Sequence, residues 1–458
     1  MSQLPPIEFV DDADSLAHYG RDWTRFWTPS PSAIAFPRST GEVVELVQWA
    51  RRTQTALVPS GGRTGLSGGA VAASGEVVVS LDRMRESLEY EPFEPSLSVQ
   101  AGMPVGELQR LAAEAGWFYP VDWAAAGSSQ VGGSIATNAG GIRVLRYGMT
   151  RNWVTGLTVV TGRGEVLHLN QGLVKNNTGL DLRHLMIGSE GTLAIITEAT
   201  MALTAPPPEQ SVLMLGFSGL DAIMPAFDCL RRALSLSAFE FFDLASTRHV
   251  SRASTRDFPL DGSCPFYAVV EFDDPDQANQ DQALALFEQL LEEGHVLDGT
   301  ISQSGAQATE LWHWREAISE ALAVHTPYKN DLSVRIGRVT GFLDELDALV
   351  GKHYPDFEVV WFGHIGDGNL HMNVLRPEQW SVEEFHRAGK LLSPRVFELV
   401  KRHGGSVSAE HGVGLLKRDD LGWSRGPREL AMMAAIKQQF DPDGILNPGK
   451  MLAANLLS

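Results

Sequence analysis

Half of the residues from Val121 to Gly148, VDWAAAGSSQVGGSIATNAGGIRVLRYG, are glycine, alanine or serine. A stretch so short of large apolar side chains cannot build an ordinary core, so its backbone is expected to lie against a flat or polar ligand. A second stretch, PSGGRTGLSGG from Pro59 to Gly69, interleaves five glycines with hydroxyl residues. Glycine permits tight turns and near approach, so backbone N–H groups there can converge on a phosphate. Taken alone, such a loop is also compatible with a flexible surface turn. The chain has no GxxxxGK[ST], and no GxGxxG followed by an acidic residue at dinucleotide-fold spacing. A P-loop triphosphatase and a dinucleotide Rossmann fold are therefore set aside.

The segments around these stretches read as alternating elements. Ser39 and Glu42 form a capping-box pattern, and Val43, Val44, Leu46, Val47 and Ala50 continue it with helical periodicity. Strands are expected at Ala56–Pro59, Val77–Leu81 and Leu97–Gln100, and a helix from Pro104 to about Ala115. Val154–Thr161 and Glu165–Leu169 read as a hairpin, and GSEGTLAIITEATMAL, Gly188–Leu203, as a turn and a strand. Pro206–Pro208 marks a domain boundary. Beyond it, Ser211–Phe272 alternates with little apolar contrast, and Gln277–Gly294 reads as a helix. Then come strand Leu332–Ile336, helix Phe342–His353, strands Val359–Ile365 and Asn369–Leu375, helix Ser381–His403 and strand Ser406–Glu410. That order is the split βαβ, ferredoxin-like arrangement, an antiparallel sheet with helices on one face. Gly426–Phe440 is expected to be a helix and Asp441–Lys450 a turn-rich tail. The expected organisation is a lead-in over 1–29, a ligand-binding domain over 30–206, a cap over 207–420 and a C-terminal segment over 421–458. The class is α+β.

Within the cap, GHIGDGNLHMN, Gly363–Asn373, places two histidines on a hairpin whose turn chemistry comes from Gly366, Asp367 and Gly368. A turn centred between Asp367 and Gly368 sets His364 directly opposite His371. Their Cβ atoms would then stand about 4.5–5.5 Å apart, close enough for both rings to ligate one ion at about 2.0–2.1 Å. Asn373 shares that face. The hairpin alone is equally compatible with a purely structural turn. Glu410, in SVSAEHGVG, completes a His₂Glu set suited to zinc or another divalent ion with one position left for substrate. Arg315 and Ser319 are four residues apart on an expected helix, and Lys329 follows at the next strand. Together they can hold a carboxylate, unless Arg315 merely pairs with Glu316 or Glu320 on a solvated face.

PSGGRTGLSGGA, VGGSIATNAGG and IGSEGTLAIITEA resemble the FAD-binding domain of vanillyl-alcohol-oxidase type flavoproteins. The resemblance implies FAD, with the pyrophosphate against Ser60, Gly61, Gly62, Arg63, Thr64, Gly65 and Leu66, after Pro59. It implies a flavin ring flanked by Gly132, Gly133 and Asn138, and further contacts from Ser128, Thr137, Gly141, Gly191 and Ile195. The tail would return Asn447 to the ring. Neither His nor Cys occurs in Pro59–Ala70 or Asp122–Gly148, so the FAD is expected to be non-covalent. WREAISEA with Lys329, GHIGDGNLHMN and SAEHGVGLLKRD resemble the D-2-hydroxyacid dehydrogenase flavoproteins, nearest their D-2-hydroxyglutarate branch, over about 30–450. That resemblance implies His364, His371 and Glu410 as zinc ligands and Asn373 and His411 at the substrate hydroxyl and first carboxylate. Arg315, Ser319 and Lys329 would hold carboxylate oxygens. His411 would be the catalytic base, with hydride passing from C2 of the substrate to flavin. Lys329, which lactate and glycolate relatives tend to lack, favours a dicarboxylate. Two departures stand out: Ser319 where threonine is usual, and SVRIGRV, carrying Arg335, in place of an SLP stretch. Alternatives within the family are D-lactate, glycolate or another D-2-hydroxyacid. Outside it stand a flavin oxidase and a non-catalytic flavin- and metal-binding protein.

The chain has 458 residues, too long for one core. Its 37 basic and 56 acidic residues give a net charge of −19, which argues against nucleic acid or anionic lipid as the main partner. Cys229 and Cys264 show no metal or CxxC spacing, consistent with a reducing, cytoplasmic setting. The N-terminus lacks the apolar segment of a secretory signal, and no apolar run reaches membrane-spanning length. The expected partners are a small D-2-hydroxyacid and an electron-transfer flavoprotein or quinone as acceptor, with a homodimer compatible.

Overall fold

The computed structural model describes residues 4–24, 26–90 and 92–456, which fall into two compact units. One unit comprises the chain up to Gly141, Gly148–Pro206 and the chain from Glu410 onward; the other comprises Ile142–Tyr147 and Pro207–Ala409. Among the described residues no helix is long and apolar enough to cross a membrane.

The first unit contains two sheets. β1 (Glu8–Val10), β2 (Ala33–Phe36), β3 (Leu57–Ser60) and β4 (Val77–Ser80) form one in the order β1-β2-β4-β3, with β4 parallel to both β2 and β3. Parallel neighbours need a crossover, and the helix Thr40–Thr53 lies between β2 and β3. It buries Val43, Leu46, Val47, Trp49 and Ala50. Its capping box is only half made. Ser39 Oγ accepts from Glu42 N at 3.2 Å, but the Glu42 carboxylate accepts from Arg38 N at 2.8 Å instead of from Ser39. β5 (Ser87–Tyr90), β6 (Ser96–Gln100), β7 (Val154–Thr161), β8 (Val166–Leu169) and β9 (Ala194–Ala202) form an antiparallel sheet in the order β5-β6-β9-β7-β8. One apolar core joins Val79 of the first sheet, Val99, Val159 and Ile195 of the second, and Ile445 and Leu446 of the C-terminal tail.

That tail is held by a buried cation. Lys437, in the helix Pro427–Phe440, donates to Thr192 O at 2.6 Å and Leu446 O at 2.8 Å, and pairs with the Asp441 carboxylate. Asp441 in turn accepts from Leu446 N at 2.8 Å and Ile445 N at 3.2 Å. With the turn so clamped, Leu57 N donates to Ile445 O at 2.8 Å and Asn447 N to Leu57 O at 2.7 Å.

The second unit is one seven-stranded antiparallel sheet: β10 (Gln210–Phe217), β11 (Leu236–Asp243), β12 (Phe266–Asp273), β13 (Val296–Ile301), β14 (Tyr328–Ser333), β15 (Glu358–His364) and β16 (Asn369–Leu375). The order is β13-β10-β12-β11-β15-β16-β14. Read from each outer end, it is the split βαβ order used twice, the two copies meeting where β11 pairs with β15. The expected copy is present, with helices Val339–His353 and Val382–Arg402. Its last strand, expected over Ser406–Glu410, is reduced to a single bridge between Ser333 and Ser406. Ser406 Oγ donates to Ser408 O at 2.8 Å and accepts from Ser408 N at 3.2 Å, a local turn that competes with ladder pairing. The other copy, β10–β13 with helices Leu220–Ala233 and Gln280–Glu292, carries no alternating pattern because all eight residues of β11 are buried. At the end of β11, Asp243 caps the helix Leu244–Ala253 through Ser246 N at 2.8 Å and accepts from Trp361 N at 2.9 Å; burial pushes its carboxyl up to about 6.

Candidate active site

In the first unit the two small-residue stretches pack backbone to backbone. A Cβ at Gly62 would lie 2.1 Å from Ser128 O, so no other residue fits there without moving the chain. Thr64 Oγ1 lies 2.8 Å from Ser129 Oγ, and Arg63 donates to Gly61 O at 2.9 Å while stacking on Tyr19. Gly132, Gly133 and Thr137 belong to the short helix Val131–Thr137, which Asn138 ends in the left-handed conformation. Gly191 lies against Pro59, Ile195 is buried in β9, and Leu66 is exposed. Asn447 Nδ2 donates to Gly69 O at 2.9 Å and Glu190 O at 2.7 Å. Three buried side-chain atoms in this region, Ser60 Oγ, Gln130 Oε1 and Asn447 Oδ1, have no hydrogen-bond partner among the described residues. Buried polar atoms are nearly always satisfied, so a polar ligand laid along these loops fits the residues present.

Asp22 and Glu190 were not singled out from sequence. Asp22 accepts from Gly68 N at 2.7 Å and Trp23 N donates to Gly65 O at 3.1 Å, so the lead-in braces the glycine loop. Glu190 accepts from Val413 N and Gly414 N, each at 2.7 Å. Burial pushes its carboxyl upward, and those two N–H groups oppose the shift. Its position between Ser189 and Gly191, in a glycine-bounded turn, was the available signal. Glu190 thereby holds the chain just after Glu410 and His411, whose side chains approach each other at 3.5 Å.

In the second unit the hairpin turn is longer than expected. His364 pairs with Asn369 and His371 with Phe362, so the two histidines are diagonal neighbours, not directly opposed. The loop spans 365–368, and its last residue, Gly368, has φ +87°, with a Cβ there 2.2 Å from Val334 O. Diagonal residues keep the same face, and the two rings lie 5.3 Å apart in an edge-on arrangement. Across the next ladder Asp331 opposes His371 and Lys329 opposes Asn373. Alternation therefore puts Lys329, Asp331, His364, Asn369, His371 and Asn373 on one face of β14–β16. Asp331 accepts from Asn369 Nδ2 at 2.9 Å and from Ala409 N at 3.0 Å. That second bond fixes the chain one residue ahead of Glu410.

Arg315 and Ser319 do not form the expected pair. The helix Gly305–Glu316 stops before a second one, Ile318–Ala323, and Arg315 is buried while Ser319 is exposed. Lys329 and Arg335 are also exposed. Arg315 reaches Glu240 at 2.8 Å, and its guanidinium lies over the Phe362 ring.

Comparison with known proteins gives this arrangement its relatives. Residues 31–170 match the FAD binding domain family, and residues 206–451 match the C-terminal domain of FAD linked oxidases. The chain is 52% identical to the D-2-hydroxyglutarate dehydrogenase of Stutzerimonas stutzeri (strain A1501), across 98% of this chain and 97% of that one. It is 38% identical to the mitochondrial D-2-hydroxyglutarate dehydrogenase of Bos taurus, across 99% and 82%. A putative mitochondrial D-lactate dehydrogenase of Schizosaccharomyces pombe is 35% identical, across 98% and 87%. Among solved structures, p-cresol methylhydroxylase superposes with a TM-score of 0.73 at 17% identity, covering 98% of this chain and 94% of that one. Alkyldihydroxyacetonephosphate synthase superposes with a TM-score of 0.72 at 20% identity, covering 97% and 82%. These two likenesses establish the vanillyl-alcohol-oxidase type of fold. The chain belongs to the FAD-linked oxidases, in the group whose curated members include the D-2-hydroxyglutarate dehydrogenases.

Proposed function

We propose that this protein is an FAD- and metal-dependent dehydrogenase that oxidises D-2-hydroxyglutarate to 2-oxoglutarate. The observation that carries the reading is the single polar face of β14–β16, where Lys329 and Asn373 stand beside His364 and His371. Asp331, His371, Glu410 and His411 are donors suited to a divalent cation. His364 is not among these four, and Asp331, which accepts from Asn369 and Ala409, is read as a brace. We assign His364, His371 and Glu410 as the ligands and His411 as the base. Bound FAD supplies a two-electron acceptor, and a bound divalent ion, zinc by preference, supplies Lewis-acid polarisation of the substrate oxygens. Around them the chain's own groups bind and orient. Arg315 and Lys329 are assigned to the two carboxylates of a five-carbon diacid and Asn373 to its hydroxyl-bearing end; Ser319, exposed on the next helix, is given no contact. His411 takes the hydroxyl proton onto its ring as C2 gives up its hydrogen with the bonding pair. FAD is held non-covalently by the loops 59–70 and 128–141 together with Asn447. Electrons leave to a protein or quinone acceptor, in the reducing cytoplasm that two unpaired cysteines suit.

An anaerobic absorbance titration of the purified protein with D-2-hydroxyglutarate, D-lactate and D-malate, before and after chelation, tests this. Bleaching of the flavin band by the five-carbon acid at the lowest concentration, lost on chelation and restored by zinc, is expected. Best bleaching by D-lactate moves the substrate, and a yellow protein that no hydroxyacid reduces overturns the activity. Lys329→Ala is expected to reduce kcat/KM for D-2-hydroxyglutarate at least tenfold more than for D-lactate, since only the diacid presents a second carboxylate. Equal losses on both substrates would contradict the role given to Lys329.

A further inference from the structure

β11 carries a carboxylate in the middle of its buried apolar run: Glu240, between Phe239 and Phe241, is 1% exposed. Phe241 opposes Gly363 and Phe242 opposes Phe362, so Glu240 stands alongside His364 on the same face. Its Oε1 lies 2.8 Å from His364 Nδ1, and its Oε2 lies 2.8 Å from Arg315 Nη2. A carboxylate is costly to bury unless its partners are well placed, and an apolar residue would suit this strand better if packing were all that mattered. Both partners belong to the site proposed above.

The two contacts differ in kind. A carboxylate only accepts, so Nδ1 of His364 carries the hydrogen and Nε2 is the ring nitrogen whose lone pair can ligate a metal. On its other side the same carboxylate holds the Arg315 guanidinium over the Phe362 ring, 4.8 Å from Cζ to the ring centroid. Among the described residues Glu240 Oε2 and Arg315 Nε are both buried without a hydrogen-bond partner, so the 2.8 Å contact is an ion pair rather than an aligned hydrogen bond, and charge and the ring hold the guanidinium.

We propose that Glu240 is a positioning residue that serves two sites at once, setting the His364 tautomer for metal binding and aiming Arg315 at a substrate carboxylate. The inference rests on the functional reading above and extends it to a residue of the neighbouring βαβ copy. Glu240 touches neither substrate nor cofactor in this role. It makes metal affinity and diacid affinity depend on one carboxylate.

The test compares Glu240→Ala and Glu240→Gln with the wild-type holoenzyme. Zinc affinity is read by competition with a chelating dye, and KM and kcat for D-2-hydroxyglutarate are read with an artificial electron acceptor. Alanine removes both contacts, so zinc affinity is expected to fall about 10–100-fold and KM to rise at least about tenfold. Glutamine offers one carbonyl oxygen and one NH₂, so it can satisfy one partner but presents a donor to the other, each partner being itself a donor. Its expected signature is a split: one quantity stays within about threefold of wild type while the other moves nearly as far as in the alanine variant. Wild-type values of both quantities in Glu240→Ala would overturn the proposal. So would equal loss of both in Glu240→Gln, which marks a general structural role. Should Glu240→Ala fail to fold, as judged by melting and flavin content, the presence or absence of the split in Glu240→Gln decides alone. Wild-type protein that neither binds zinc nor is reduced by D-2-hydroxyglutarate would instead remove the functional reading, and this inference with it.

Discussion

Substituting His411 with alanine is expected to lower kcat by about 10²–10⁴-fold, the usual contribution of a positioned general base, while the protein purifies with its normal flavin content. The two halves of this expectation have separate origins. His411 sits in the segment that Glu190 holds through Val413 and Gly414, so the backbone beyond it stays in place when its ring is removed. The loops proposed to hold FAD lie elsewhere in the sequence and keep their own packing, Gly62 against Ser128 and Thr64 against Ser129. A steady-state assay alongside the ratio of flavin to protein absorbance checks both halves. Turnover near the wild-type rate would assign proton removal to another group, and colourless protein would show that the segment supports the flavin.

The largest effect on stability is expected at Lys437. Its ammonium and the Asp441 carboxylate are both buried, and two main-chain carbonyls complete the cation's shell. Lys437→Met fills similar space but leaves Asp441 charged and without its cation. Breaking a buried pair in this way costs about 3–5 kcal/mol, so a fall in melting temperature on the order of 10 °C is expected. Because Asp441 also accepts from Ile445 and Leu446, the loss should loosen the turn that sets Asn447 against Gly69 and Glu190. Thermal melting followed by flavin fluorescence should therefore show earlier flavin release. A melting temperature within a degree or two of wild type would mean that the pair is replaceable by packing alone.

How much of this was legible beforehand follows from how each residue writes itself into a sequence. The glycine loops were legible because glycine is required wherever two backbones touch, as at Gly62 and Ser128. The hairpin face was legible through its period of two, and it survived a wrong estimate of the turn, since a shift from direct to diagonal opposition leaves parity intact. The first βαβ copy was not, because strands buried on both faces carry no alternation. Glu240 was hidden for the same reason: a lone acid inside AFEFFD reads as an irregularity until register places it beside His364. Asp331 lacked any local motif, and only its pairing with His371 across β14 and β16 gives it a role. The break at Ala317, which separates Arg315 from Ser319, has no glycine or proline to announce it.

The first unit is assembled from three separated stretches of chain, and its core is closed by Leu446 beside Leu57. On a ribosome those partners appear in the wrong order for early completion. Everything from Pro207 to Ala409 emerges between the first two stretches and the third. At roughly 5–20 residues per second, the interval between Pro206 and Asn447 lasts about 12–50 seconds. During that time β3 waits without its last neighbour, and the glycine loops wait without Asn447. With Asn447 in the flavin role proposed above, a nascent chain stalled before its C-terminal helix is expected to capture no flavin, however abundant the cofactor.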